Sequence, residues 1–464
     1  MATVIIGGGI IGLATAYYLS EERPPVEGSN PSIHVVDSSH SLLLSASGHA
    51  GGFLAKDWFS PASASLGGLS FALHRRLADE HDGFRKWGYV GTRTYSLSID
   101  ERGVGSAAKQ SRGEDWVTSG TSRAGVAPAN AREDSAREQN AIDATEMLNP
   151  DGSRHASRHS RLFLIEKCKA RSVEFHLSTT PLGIETDPKT NNISGLSCSF
   201  YNEDRRTTNE DVLPCNTLIM TAGAWTPAVF KTLFPSSKLR IPISPLAGTS
   251  LLARSPRYTT PFSLDASATD PSRNENHSMG YAIYCSPMPP TFRGHRYSYA
   301  PEAFARLGPD SRPEIWIGGL NHPHLSLPKK AEDVEALRQS RGTADVDELR
   351  KCLVQLCGKV ALENSDARNS GLNEDDLDIV RQGLCFRPVS QTGVPLIGRL
   401  DEKLLGSEIK KVDSGGVFIA SGHGPWGISL SLGTGEQMIT NGQQRTKKVD
   451  PEKRRDRTMK VINF

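Results

Sequence analysis

The residues of this chain best suited to chemistry are small ones, grouped where a phosphate could approach the backbone. Gly7-Gly8-Gly9-Ile10-Ile11-Gly12 follows a β-branched run, Thr3-Val4-Ile5-Ile6, and opens a helical stretch over residues 13–22 that Pro24-Pro25 stops. A second apolar run, Ile33-His34-Val35-Val36, ends in Asp37. Strand, glycines, helix, strand and acid fall in the order of a dinucleotide-binding β-α-β unit. The glycines allow a tight turn and close approach of a pyrophosphate, whose charge is favoured at the helix N-terminus. Gly7, Gly9, Ile10, Ile11 and Gly12 are the candidate phosphate contacts, and Asp37 can accept hydrogen bonds from a ribose diol. The alternative is a helix–strand packing turn with no ligand.

Three further turns have the same character. Ser47-Gly48-His49-Ala50-Gly51-Gly52 comes just after the second strand, where small side chains let a flat ring lie against the backbone; a plain flexible loop is the other option. The apolar run Leu218-Ile219-Met220 leads into Thr221-Ala222-Gly223-Ala224-Trp225, a second segment able to meet a nucleotide or an ordinary strand-to-helix turn. Val417-Phe418-Ile419-Ala420 leads into Ser421-Gly422-His423-Gly424-Pro425-Trp426-Gly427-Ile428 and a helix predicted to about residue 441, with Pro425 suited to its first turn. No metal site is expected. His155 and His159 are four apart and would share a helix face, and His322 and His324 flank Pro323, but neither pair has a third ligand in view.

These turns need a scaffold. An apolar stripe, Leu66, Leu69, Leu73, Leu77, Phe84 and Trp87, predicts a core helix, and Val346, Leu349, Cys352, Leu353, Leu356 and Val360 predict another. A helix over 162–168, a strand over 173–177 and a hairpin turning at Asn191-Asn192 are expected, with strands of a second region over 241–253, 279–285 and 315–320. Residues 101 to about 160, rich in Ser, Arg, Ala, Glu and Gly, read as a flexible insertion.

With 464 residues, 37% of them hydrophobic, the chain is long enough for a large core. A net charge of +2 argues against a nucleic-acid binder, so no nucleic-acid partner is expected. Seven scattered cysteines without a CxxC point to a reducing compartment, the cytoplasm, with an endomembrane surface left open. The apolar start lacks a basic region and is broken by glycines, and no apolar run would span a bilayer. Residues 443–464 carry eight basic and three acidic side chains, a solvated tail or a weak contact for an anionic membrane surface.

Together these blocks resemble the FAD-dependent D-amino acid oxidase superfamily, which includes glycine oxidase and sarcosine oxidase. Five elements match in order: the Gly7/Gly9/Gly12 turn with Asp37; the 47–52 loop; Thr221 to Trp225; Arg387-Pro388 with Gly393 and Pro395-Leu396-Ile397-Gly398; and Gly422 to Ile428. Within it, Ala46 to Trp58 is most similar to a group of fungal oxidoreductases. The likeness spans residues 1 to about 442, except the 101–160 region, where Asn149-Pro150-Asp151-Gly152 stands in place of a usual His-Pro segment.

The resemblance implies an α/β fold: a discontinuous Rossmann-type FAD-binding domain (1–90, 158–235 and 378–442) with an inserted α+β substrate domain on a mixed or antiparallel sheet (91–157 and 236–377, the insertion at about 101–157), then the basic tail. It implies oxidation of the C–N bond of a small amino acid or secondary amine by hydride transfer to flavin, with oxygen or another acceptor taking the electrons. A flavin-binding protein whose job is interaction or trafficking, not turnover, is the alternative. Arg387 sits where glycine oxidase-like members hold the substrate carboxylate, a group that a guanidinium fork matches; an arginine paired within the protein is the other reading. Cys385 aligns near the cysteine that some sarcosine oxidase-like members join to flavin, or is a buried thiol. The resemblance puts the backbone around His423, more than its imidazole, near the flavin ring.

Overall fold

A computed structural model of the chain describes residues 2–24, 32–97, 145–148, 153–155, 159–202, 205–256, 258, 278–285, 300–308, 310, 312–357, 374–406 and 415–443. Most of the expected 101–157 insertion, and the tail beyond residue 443, lie outside these.

The fold is α/β, with a Rossmann-like, mostly parallel sheet and a largely antiparallel second one. The first sheet has six strands in the order Leu396–Arg399, Gly416–Ser421, Thr217–Met220, Thr3–Ile6, Ile33–Val36 and Glu174–His176. All its pairs are parallel except that of Leu396–Arg399 with Gly416–Ser421. Its central strands are unbroken apolar runs because both faces are covered. Ile5, Val35, Ile219 and Phe418 face one side, against Leu13, Ala14 and Tyr17 of helix Ile10–Glu22, Phe163 and Leu164 of helix His159–Ala170, and Ile428 and Leu432 of helix Gly427–Gln443. Val4, Ile6, Leu218, Met220 and Val417 face the other, against Phe230 and Leu233 of helix Thr226–Leu233 and Ile193, Leu196 and Cys198 of a three-stranded antiparallel sheet. That sheet contains the expected hairpin, with Asn191 in the left-handed conformation at its turn.

The second sheet runs Asp378–Ser390, Ile243–Arg254, Pro313–His322, Glu302–Leu307, Ser278–Cys285, Val90–Leu97, Ser153–His155 and Phe53–Ala55, with Thr145–Leu148 also pairing Val90–Leu97. Helix Ala344–Leu356 covers one face, burying Val346, Leu349, Cys352 and Leu353 against Leu251, Ala253, Ile315 and Ile317. Two segments drawn from the expected nucleotide-binding stretches, Phe53–Ala55 and Asp378–Ser390, pair in this second sheet. An extended run carries no mark in the sequence of the sheet it will join. Two further strands, Thr145–Leu148 and Ser153–His155, fall inside the expected flexible insertion. His155 ends a strand and His159 begins a helix, so the two do not share a helix face.

Candidate active site

A cavity of about 370 Å³ opens where the C-terminal ends of the parallel strands meet the second sheet. This is where open α/β sheets bind ligands. From the first sheet its wall takes Ile6, Gly7, Val36, Asp37, Thr221, Ala420 and Ser421; from the second it takes Gly248, Thr249, Phe304, Trp316, Cys385 and Arg387.

The glycine turn is built by close backbone approach. Gly7 has φ +114°, and a Cβ there would lie 2.7 Å from the Thr221 carbonyl carbon. A Cβ at Gly12 would lie 2.0 Å from the Gly7 carbonyl oxygen. The Thr221 hydroxyl, 2.9 Å from that same oxygen, fixes the two turns to each other. Helix Ile10–Glu22 begins after Gly9 without a cap from that residue, and the Ser47 hydroxyl accepts the Ile10 N–H at 3.0 Å. The N-terminal end of the helix, with its favourable dipole, faces the cavity. The Asp37 carboxylate accepts the Gly8 N–H at 2.8 Å and the Ser39 N–H at 2.9 Å. Burial raises its pKa, and these two amides oppose the rise.

Of the expected nucleotide contacts, Gly7, Gly9, Ile10, Ile11, Asp37, Ser47, His49, Ala50, Gly51, Gly52, Ala222, Gly223, Trp225, His423, Gly424, Pro425, Gly427 and Ile428 line the cavity. Gly12, Gly48, Gly422 and Trp426 do not. Gly12 lies under the Gly7 carbonyl, Gly48 under the Leu43 carbonyl, and Gly422 against Ser390. The Trp426 ring packs on Phe59, centroids 5.0 Å apart. Residues 46–49 form a helical turn, not a plain loop, and the second sheet holds it: Trp316 Nε1 donates to the His49 carbonyl at 2.9 Å and Arg381 Nη1 to the Gly48 carbonyl at 2.8 Å.

Cys385 and Arg387 are two apart on the strand Asp378–Ser390, which puts both side chains on one face, and both line the cavity. Arg387 Nη2 donates to Asn321 Oδ1. A Cβ on Gly248, in the paired strand, would lie 2.7 Å from that nitrogen, so the glycine is what makes room for the guanidinium. Next to Asn321, His322 Nε2 lies 2.9 Å from Thr249 Oγ1 and 3.4 Å from Asp345, which also binds Arg341 at 2.6 Å; His322 is thus engaged within the protein. Burial pushes the Cys385 thiol pKa up, and the charges of Arg387 and Arg381 only partly offset this.

His423 is buried. Thr434 Oγ1 donates to the Leu430 carbonyl at 2.9 Å, so it accepts from His423 Nε2, 3.0 Å away. Nε2 therefore carries a proton, and burial, which lowers the ring's pKa to about 3, keeps the ring neutral. Its Nδ1 has no partner among the described residues.

Sequence reasoning missed Asn321, Gly248 and the buried acid Glu302, which also lines the cavity. Glu302 left one faint signal, an acid opening the run Glu302-Ala303-Phe304. Asn321 and Gly248 left none, since only strand pairing brings them to Arg387.

The model of the family described as "FAD dependent oxidoreductase" matches residues 2–440, a span that contains the whole cavity wall. The chain belongs to this family. As an FAD-dependent oxidoreductase it is 25% identical over 458 residues, 96% of both chains, to the "Putative oxidoreductase C1F5.03c" of Schizosaccharomyces pombe. Its fold is like that of glycine oxidase from Geobacillus kaustophilus (TM-score 0.57, 18% identity, 97% of this chain and 96% of that one). It is also like that of L-proline dehydrogenase from P. horikoshii (TM-score 0.55, 15% identity, 97% and 94%). No helix among the described residues is long and apolar enough to cross a membrane.

Proposed function

We propose that this FAD-dependent oxidoreductase oxidises the C–N bond of a small amino acid or secondary amine that carries a carboxylate. The observation that carries the proposal is Arg387: its guanidinium enters the same cavity as the glycine turn and Asp37. The residues present fit FAD, because the Gly7 and Gly12 turn leaves no space for side chains where a pyrophosphate would approach. The N-terminus of helix Ile10–Glu22, with the Ile11 amide, would hold that pyrophosphate, and Asp37 the ribose. The 47–52 segment, Ala222 to Trp225 and His423 to Ile428 would border the ring. When bound, flavin supplies a hydride acceptor for the carbon bearing nitrogen.

The chain's own part is orientation. Asn321 fixes the Arg387 fork, which would hold the substrate carboxylate. His423 is neutral and adds no charge beside the ring. FAD is held noncovalently in this proposal: the thiolate is the nucleophile, and burial keeps Cys385 a thiol. Oxygen or another acceptor would then take the electrons. The nucleotide-binding and substrate units of the chain would close on the cavity from the two sheets. The seven free cysteines support a reducing compartment, the cytoplasm.

The test is anaerobic reduction of the bound flavin by D- and L-amino acids and by amines with and without a carboxylate. With a carboxylate substrate, Arg387→Met should lower kcat/KM roughly 10- to 100-fold, the equivalent of a charge-assisted pair of about 1.5–3 kcal/mol. Amines without the carboxylate should be little affected. Equal kcat/KM in variant and wild type would overturn the substrate role of Arg387. Bound flavin that no amine reduces would favour a flavin protein without turnover.

A further inference from the structure

At the open edge of the parallel sheet, His34, Glu174 and His176 bring three metal-ligating groups together on two neighbouring strands. Ile33–Val36 and Glu174–His176 pair in parallel, with His34 opposite Glu174 and Val36 opposite His176. The period of two puts Glu174 and His176 on one face of their strand, and the register adds His34 to it. His34 Nδ1 lies 3.1 Å from His176 Nε2 and 3.3 Å from Glu174 Oε2, while His176 Nε2 lies 3.9 Å from Glu174 Oε1. Ligands at about 2.0–2.1 Å on a tetrahedral zinc stand roughly 3.3–3.4 Å from one another. The two separations from His34 Nδ1 lie close to that value, one ligand atom from each of the three residues lies within 4.8 Å of the others, and the grouping is set by strand pairing instead of by a loop.

We propose that His34, His176 and Glu174 form a binding site for a divalent first-row transition ion of the zinc class. Two imidazoles and a carboxylate are a ligand set that such ions take, with water in the fourth position. Both histidine side chains are largely buried (12% and 13% exposed), whereas Glu174 is 47% exposed, which gives the ion a way in and room for that water. Without the ion the two ring nitrogens must share one proton in a hydrogen bond; with it, both lone pairs turn to the metal. The site also touches the nucleotide end of the cavity through one bond, because the His176 carbonyl accepts the Asp37 N–H at 2.9 Å. An ion here would cross-link the two strands that hold Asp37 in place.

The test uses the full chain, supplied with FAD, stripped by chelator and dialysed against zinc, with bound metal counted by atomic emission. Wild type should retain one zinc per chain and show a higher thermal midpoint with zinc than without. His34→Gln and His176→Gln should lose both effects. Glu174→Gln, at a side chain 47% exposed, should bind zinc more weakly. Magnesium, which prefers oxygen ligands, should leave the midpoint of all four proteins unchanged. Wild type that retains no more zinc than His34→Gln, or Glu174→Gln that binds as wild type does, would overturn the site and leave the histidines as a hydrogen-bonded pair.

Discussion

Lowering the pH from 7 to 5 should cost this protein about 4 kcal/mol of stability through two buried histidines. His74, on helix Ala64–His81, places its Nε2 3.0 Å from the Ile428 carbonyl and is held neutral, its pKa lowered by burial to about 4. His423 donates to Thr434 and is lowered, also by burial, to about 3. Each folded-state value lies below the unfolded value near 6.5, so the unfolded chain binds the extra proton. The stability these groups hold is therefore complete above pH 6.5 and is lost as the pH falls toward 4 and 3. At about 1.36 kcal/mol per pH unit, each ring accounts for roughly 2 kcal/mol between pH 7 and 5. Burial lowers His176 and His322 as well, which adds to the loss in the same direction. Asp37, whose pKa is raised by burial, acts the other way. The total is a large share of a typical folding free energy of about 5–15 kcal/mol. Urea unfolding at the two pH values, with FAD at the same saturating level, measures it. His74→Gln keeps a donor for the Ile428 carbonyl but cannot titrate, so its loss should be smaller by about 2 kcal/mol. A variant with the same pH dependence as wild type would refute the assignment of a buried, neutral His74.

Three substitutions probe the cavity. Gly12→Ala forces a methyl to 2.0 Å from the Gly7 oxygen, so the purified variant should retain little flavin absorbance after desalting. Gly248→Ala crowds Arg387 Nη2 at 2.7 Å, and should raise KM for a carboxylate substrate roughly tenfold, equal to about 1.4 kcal/mol, while leaving flavin content as it was. Cys385→Ser should leave flavin content unchanged, and acid precipitation of wild type should release all of it; flavin left on the pellet would show a covalent bond.

Local backbone demands were legible in the sequence, and pairings across the chain were not. Gly7, Gly9, Gly12 and Asp37 could be read in advance because a turn and a strand end are defined by neighbours within a few residues. The same holds for the turns at 222–225 and 422–428. What each side chain faces was harder. Trp426 sits inside a matching block, yet its ring packs on Phe59 outside the cavity, since block membership fixes the backbone and not the rotamer. The strand Asp378–Ser390 shows the point most clearly. Its Arg387 stood out, but its pairing with Ile243–Arg254 is what sets Gly248 against the guanidinium, and the next strand, Pro313–His322, is what brings Asn321. The same physics assembles His34 with Glu174 and His176 from strands about 140 residues apart in sequence. Such sites are specified by register, and a one-residue slip of one strand would turn that strand's ligands to the face opposite its partner's. The glycine turns and the register-built clusters therefore differ in how they fail: a point change at Gly12 removes its own contact, whereas a change that shifts the 378–390 pairing would remove Arg387, Cys385 and the Arg381 anchor of the 46–49 turn together.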